Sequence, residues 1–153
     1  MNSLHILEAA RDLALKKGPP RQADLRRAVS SAYYALFHAL CRSNADQLVG
    51  SGKRHSEAWL RVYRALDHTK ARDELRRATT RALSREVDQI STAFIQLQEE
   101  RHAADYDPRP FRLSRNDVFS LVMTALQATI QVRNLDPTLR TELATLLLLK
   151  SRS

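Results

Sequence analysis

The chain has 153 residues, about the length of one domain, and a formal net charge of +8 at pH 7. With only three glycines and no run of alternating polar and apolar residues, it lacks the pattern of a β-sheet protein. No apolar run is long enough to span a bilayer, and the single cysteine, Cys41, cannot form an intramolecular disulfide. We therefore expect one all-α domain over residues 1–153, located in the cytoplasm and not in a membrane.

The first part of the chain predicts three helices. Apolar residues at helical spacing place the first at 3–17 and the second at 23–42, with a Gly-Pro-Pro break at 18–20 between them. Residues 43–54 are polar and contain two glycines, which predicts a flexible loop. A third helix is expected at 56–66, where apolar residues again recur at helical spacing.

The second part predicts a long helix, a break and two more helices. Residues 67–82 are basic with few apolar residues, so a short helix and a loosely packed connection both stay open there. The fourth helix is expected at 83–105, and two prolines make 107–113 extended. A capping-box signature begins the fifth helix at 114–132, and an Asp-Pro pair at 136–137 begins a short C-terminal one. Together these elements predict an up-and-down helical bundle of about five helices plus a short C-terminal helix.

The charges are unevenly distributed along the chain. Residues 53–85 carry about +6 and residues 86–108 about −5, and 20 of the 25 basic residues are arginine. Arginine can bind phosphate or carboxylate with two parallel hydrogen bonds, which makes nucleic acid a candidate partner. A solvated helical surface explains the same composition equally well. The five histidines are scattered and none pair at ligand spacing, so we expect no metal and no cofactor.

Arg101 interrupts the apolar stripe of the fourth predicted helix. The stripe continues at steps of three and four through Phe94 and Leu97, and the next step falls on Arg101. Asp105 lies one turn further, where it can pair with the guanidinium. Two interpretations stay open: a structural ion pair in a helical bundle without a ligand, or an arginine that receives an anion such as phosphate.

Three segments resemble the HEPN domain family. The sequence RRAVSSAYYALFHAL at 26–40 is similar to the second helix of that family, and KRHSEAWLRVYRAL at 53–66 to the loop and helix that follow. RHAADYDP at 101–108 resembles the late-helix motif, an arginine and a polar residue followed, after a spacer, by a histidine. The resemblance covers about residues 20–130 and extends over all three segments in the same order.

The resemblance implies a symmetric homodimer with a function directed at RNA. Many HEPN members are metal-independent endoribonucleases whose two motifs meet in the dimer cleft, and small members are often toxins paired with a nucleotidyltransferase-like antitoxin. Others are non-catalytic modules that bind nucleic acid, a nucleotide or such a partner. Both hypotheses, ribonuclease and interaction module, stay open for this chain.

The motif carries over onto the chain with one departure. Arg101 matches the motif arginine and His102 the polar residue after it, whereas Tyr106 stands where the shortest spacer would place the histidine. Arg101 is therefore the candidate for charge stabilisation, His102 for proton transfer, and Tyr106 for proton donation, a hydrogen bond or base stacking. Tyr106 is also a candidate for modification by a nucleotidyltransferase partner. The further candidate binding residues are Asp105, Arg77 and Arg81.

Overall fold

The computed structural model describes residues 1–151, which form eight α-helices and no strand. The helices are α1 Ser3–Ala14, α2 Gln22–Ala45, α3 Glu57–Tyr63, α4 His68–Arg76, α5 Ala78–Arg81, α6 Arg85–Tyr106, α7 Arg115–Asn134 and α8 Pro137–Leu148. A π-helical turn, Asp46–Gly50, and a 3₁₀ turn, Ser51–Lys53, follow α2. The predicted all-α class is confirmed. The last two residues of the predicted 1–153 domain lie outside the described residues.

The prediction of about five helices plus a short one is wrong in number. Residues 67–82, left open between a short helix and a connection, form the two helices α4 and α5. The Asp67 side chain begins α4 by accepting a hydrogen bond from the Lys70 amide at 2.8 Å. Only Ala71 and Leu75 of α4 are buried, which is too few apolar residues to give a clear helical period.

The long helices α2, α6 and α7 alternate in direction. Arg26, near the start of α2, donates to the carbonyl of Ala104 at the end of α6, so these two helices run antiparallel. Gln131, near the end of α7, donates to the side-chain oxygen of Gln89, near the start of α6, so these two helices are antiparallel as well. α1 packs against both α2 and α7, which completes a four-helix arrangement.

Helix ends follow the predicted capping residues closely. The Ser114 side chain accepts from the Asp117 amide at 3.1 Å, and the Asp117 carboxylate accepts from the Ser114 amide at 2.9 Å. This reciprocal pair is the predicted capping box of α7. Asp136 caps α8 by accepting from the Thr138 amide at 2.9 Å, with Pro137 in the first turn. Both predicted helix starts are confirmed.

The hydrophobic core confirms the apolar register of α6. Val87, Ile90, Phe94 and Leu97 are fully buried and pack with residues of α1, α2 and α7 in one cluster. Each such side chain stabilises the fold by roughly 1.5–3 kcal/mol through burial. Arg101, the next position in that register, lies where the core meets the surface. Among residues 1–151, no helix combines the length and the apolarity that a membrane span needs.

Candidate functional site

Arg101 lies in the last turns of α6 with its side chain 16% exposed. Its Nη2 donates to the Tyr34 hydroxyl of α2 at 2.6 Å. Its Nε lies 3.0 Å from Asp105 Oδ2, which is an ion pair, although the N–H is not aligned for a hydrogen bond. Nη1 has no acceptor among residues 1–151 and is not sealed from solvent. The guanidinium therefore keeps one pair of donors for a ligand.

Three aromatic rings surround the guanidinium. The Arg101 Cζ lies 5.5 Å from the ring centroid of Tyr33, 5.2 Å from that of Tyr34 and 5.8 Å from that of Tyr106. Cation–π attraction of this kind holds a cation in place without neutralising it. Burial alone would lower the pKa of Arg101, but the hydrogen bond to Tyr34 and the nearby charge of Asp105 raise the pKa above its usual value. The side chain stays positive throughout the pH range of a cell.

Asp105 joins α6 to α2. Its Oδ1 accepts a hydrogen bond from the Ser30 hydroxyl of α2, while Oδ2 faces Arg101. The ion pair expected from the i, i+4 spacing is therefore confirmed. Because one carboxylate accompanies one guanidinium here, the pair is formally neutral until a ligand or a second protein chain adds charge.

His102 and Tyr106 form an exposed pair beside Arg101. Their ring centroids are 4.9 Å apart, and Tyr106 is 64% exposed. Tyr106 contacts His102 on one side and the Arg101 guanidinium on the other, so it joins two residues that point about 100° apart around the helix. The structure thus brings the three candidate catalytic residues together on one surface.

Arg77 and Arg81 lie elsewhere. Arg81 donates to Asp88 at 2.7 Å and to Thr92 at 2.5 Å, and Thr92 is nine residues before Arg101 in the sequence. At 1.5 Å per residue, the separation along α6 is about 13 Å. Arg77 lies between α4 and α5, with its nearest carboxylate, Glu74, at 3.8 Å. Among the described residues, neither arginine makes a hydrogen bond or ion pair with the residues of the Arg101 surface.

His68, at the start of α4, belongs to the site although no sequence pattern singled it out. Its Nδ1 lies 2.7 Å from the hydroxyl oxygen of Tyr33, and its ring stacks on Phe37 at 3.9 Å between centroids. Burial lowers the pKa of His68, and the positive charge of Arg101 lowers it further. The imidazole is therefore neutral at neutral pH, close to a permanent positive charge.

The hydrogen bonds of Tyr33 assign the proton on His68. Gln98 Nε2 donates to the Tyr33 oxygen at 3.3 Å and to the His68 carbonyl at 2.9 Å. The Tyr33 side chain is fully buried, and its O–H has one acceptor among the described residues, His68 Nδ1. A buried hydroxyl normally donates, so Nδ1 accepts and the ring proton is on Nε2. His68 Nε2, like Arg101 Nη1, has no protein partner and is not sealed from solvent.

Tyr34 and His38 of α2 both lie at the edge of the core. Tyr34 is the half-buried member of the aromatic stripe and lines the site, next to the fully buried Tyr33. His38 Nδ1 lies 2.8 Å from the oxygen of the Tyr63 hydroxyl, so this histidine is hydrogen-bonded within the chain. His68 could have been suspected only from its place directly after Asp67, a helix-capping residue, because its partners come from α2 and α6.

Comparisons of the chain with protein-family models, with curated proteins and with solved structures found no match. Within residues 1–151, no group of three or more His, Cys, Asp and Glu side chains is arranged to hold a metal ion. What the site offers chemically is one guanidinium with free donors, one engaged carboxylate, two imidazoles and exposed aromatic surface.

Proposed function

We propose that the chain is a HEPN-type, RNA-directed protein that works as a homodimer and cleaves RNA without a metal ion at the Arg101 surface. The observation that carries the proposal is the free Nη1 of a guanidinium held in place by Tyr34 and Asp105. Exposed Tyr106 and His102 lie directly beside it. A fixed cation next to an exposed ring suits a phosphate and the base attached to it.

The proposed reaction is the internal transesterification of RNA. The 2′-hydroxyl loses its proton and attacks the adjacent phosphorus, the bond to the 5′-oxygen breaks, and that oxygen takes up a proton. The products are a 2′,3′-cyclic phosphate and a 5′-hydroxyl end. Arg101 Nη1 would bind a non-bridging phosphate oxygen, where negative charge grows in the transition state. No water, metal or oxidant is consumed.

Of the two imidazoles, one can move protons in this reaction and the other can bind the phosphate. His102 is exposed and would act as base or acid at the edge of the site. His68 presents an Nε2–H from a neutral ring and would donate a hydrogen bond to a phosphate oxygen. Tyr106 would stack on a base next to the cleaved bond. A homodimer would place two such sets of residues around one cleft, as the HEPN resemblance implies.

The test is incubation of purified protein with mixed RNAs in the presence of a chelator, followed by analysis of the new ends. We expect fragments with 2′,3′-cyclic phosphates, and a rate at least about 100-fold lower for Arg101→Ala, the loss typical of a transition-state donor. Arg81→Ala is the matched control, because it removes the same charge from a side chain that binds Thr92, about 13 Å from Arg101 along α6. Intact RNA at high protein concentration would overturn the nuclease proposal.

The second candidate is a non-catalytic HEPN module that binds a nucleotide or a nucleotidyltransferase-like partner through the same surface. Two observations favour it: Asp105 already neutralises Arg101, and a tyrosine occupies the motif position of the histidine. Fluorescence anisotropy with labelled RNA and with labelled ATP separates the candidates. Binding that Arg101→Ala abolishes, without any cleavage of RNA, would support the module.

A further inference from the structure

A second basic site lies at the other end of α2, independent of the Arg101 surface. A cavity of about 300 Å³ opens between the ends of α2 and α7 and the first turn of α8. Arg42, which lines it, is eight residues beyond Tyr34, or about 12 Å further along α2. The charged residues that line the cavity are Arg42, Asp46, Arg54, Arg133 and Arg140.

Among residues 1–151, Asp46 is the only carboxylate that lines the cavity, and its oxygens already accept hydrogen bonds. Asp46 accepts from Arg54 Nε at 3.0 Å and Nη2 at 2.7 Å, and from Trp59 Nε1 at 3.0 Å. Burial alone would raise the pKa of Asp46, but the hydrogen bonds from Arg54 and Trp59 lower the pKa below its usual value. Asp46 is therefore ionised, and its oxygens are engaged by Arg54 and Trp59. These bonds hold the turn after α2 in place.

Three guanidiniums remain without a counter-charge. Within residues 1–151, Arg42, Arg133 and Arg140 have no carboxylate at ion-pair distance. Arg140 is half-buried, and its Nε donates to the Ser43 hydroxyl at 3.0 Å, which fixes the side chain at the cavity wall. Burial lowers the pKa of Arg140, and the carboxylate of Asp46 offsets only part of that effect. A half-buried positive charge beside two others is unfavourable unless an anion completes the site.

We propose that this cavity binds a phosphoryl group, as the diphosphate of a small molecule or the terminal phosphate of a nucleic acid. Guanidiniums bind phosphate oxygens with paired, charge-assisted hydrogen bonds, and several of them suit a multiply charged group better than a single carboxylate. The apolar lining consists of Ala39 and Val132, with no aromatic ring on which a base could stack. Recognition is therefore of the phosphate and not of a base.

The first experiment is isothermal titration of the full chain with inorganic diphosphate at low salt. We expect binding to the wild-type protein and a dissociation constant about tenfold higher for Arg140→Gln, which corresponds to about 1.4 kcal/mol. Arg133→Gln, an exposed position, should weaken binding in the same direction without any effect on folding. Arg27→Gln is the matched control, since it removes one exposed arginine about 22 Å from Arg42 along α2.

A thermal melt without ligand separates a binding role of Arg140 from a structural one. If Arg140 serves a ligand, Arg140→Gln keeps or raises the melting temperature, because a partly desolvated charge has been removed. A lower melting temperature together with unchanged diphosphate binding would overturn the proposal. No diphosphate binding by the wild-type protein, or equal weakening by Arg27→Gln, would overturn it as well.

Two further experiments identify the source of the phosphate and distinguish binding in this cavity from binding at the proposed RNA site. Competition of a 5′-phosphorylated oligonucleotide with diphosphate, without competition by its 5′-hydroxyl form, would assign the cavity to a nucleic-acid end. Diphosphate binding without such competition would assign it to a small molecule. Arg101→Ala should leave diphosphate binding unchanged. If Arg101→Ala weakens diphosphate binding as much as Arg140→Gln does, the ligand binds at Arg101 and the proposal is wrong.

Discussion

Arg26 and Arg101 are both partly buried arginines at the α2–α6 interface, yet their guanidiniums are used in different ways. Arg26 Nη1 donates to the carbonyls of Ala104 at 2.8 Å and Asp107 at 2.9 Å, and its Nη2 to that of Arg109 at 2.6 Å. Arg101 makes one aligned hydrogen bond, to Tyr34, and one ion pair, to Asp105. The Arg26 guanidinium therefore donates mainly to backbone carbonyls, whereas the Arg101 guanidinium keeps donors without an acceptor.

The difference separates a structural arginine from one available for binding. The last carbonyls of an α-helix have no partner within the helix, and a cation at that end is also favoured by the helix dipole. Arg26 meets both needs for α6. Arg101 points away from those carbonyls and into a group of aromatic rings, where its charge is held and stays accessible. Both side chains are partly buried, so burial does not tell the structural arginine from the one available for binding. The hydrogen-bond acceptors of each guanidinium do.

The largest expected effect is that of Arg26→Met on stability. The substitution leaves three carbonyls, one in the last turn of α6 and two just beyond it, without their donor, which should lower the free energy of unfolding by about 3 kcal/mol. Urea unfolding monitored by circular dichroism measures it. Arg27→Met, at the exposed neighbouring position, should change the same quantity by less than about 0.5 kcal/mol. Equal effects of the two substitutions would break the assignment of Arg26 as the structural arginine.

Arg101→Met should have a smaller effect on stability, about 1–2 kcal/mol, because Asp105 keeps its hydrogen bond from Ser30 after the guanidinium is gone. The same urea titration gives the value. If Arg101→Met loses RNA or nucleotide binding but stays folded, Arg101 is the arginine available for binding. A stability loss as large as that of Arg26→Met, with binding unchanged, would make Arg101 a structural residue of a bundle without a ligand at this surface.

Tyr34→Phe should lower the free energy of unfolding by about 0.5–1.5 kcal/mol, the usual net value of one hydrogen bond. The ring stays to pack against Arg101, but the acceptor of Nη2 is lost. Tyr106→Phe is the control, since the Tyr106 hydroxyl has no hydrogen-bond partner within the described part of the chain and its ring is exposed. If the two variants unfold at the same urea concentration, the Tyr34 bond contributes nothing to holding Arg101.

The smallest expected effect is a change in the pKa of His68 when Arg101 is replaced. Because burial and the charge of Arg101 both lower the pKa of His68, Arg101→Met should move that pKa up towards the usual value of an imidazole. Arg26→Met removes a charge that does not act on His68 and should leave the pKa where it is. NMR titration of the histidine ring protons measures both. An unchanged pKa in Arg101→Met would mean that the two residues do not share a site.

Local signals in the sequence predicted most helix ends, but not the two helices within residues 67–82 or the helical turns after α2. The capping box of Ser114 and Asp117 and the Asp-Pro start of α8 act within four residues, so the sequence alone reveals them. Residues 43–54 were expected to be a flexible loop, which is wrong: α2 continues to Ala45 and two helical turns follow. The reason is Asp46, which receives Arg54 and Trp59 from further along the chain, and no periodicity shows such contacts.

The contacts of the candidate site are of the same two kinds, those within one helix and those between helices distant in sequence. The pairing of Arg101 with Asp105 follows from helical spacing, and so does the neighbourhood of His102 and Tyr106. The acceptor Tyr34 is 67 residues away in sequence from Arg101, and Tyr33, the partner of His68, is 35 residues before it. Only the packing of α2 against α4 and α6 brings these groups together. Arg77 and Arg81 share the basic composition of the site's surroundings but not its position.

The bonds of Arg26 also set an order of events during synthesis. Its acceptors Ala104, Asp107 and Arg109 lie 78, 81 and 83 residues further along the chain. On the ribosome, α2 is complete long before any of these carbonyls exist, so the Arg26 side chain must remain hydrated through most of translation. The last turn of α6 can become fully bonded only after more than two thirds of the polypeptide has been made. A released chain that ends before residue 109 would therefore lack one acceptor, and Arg26 Nη2 would stay with water.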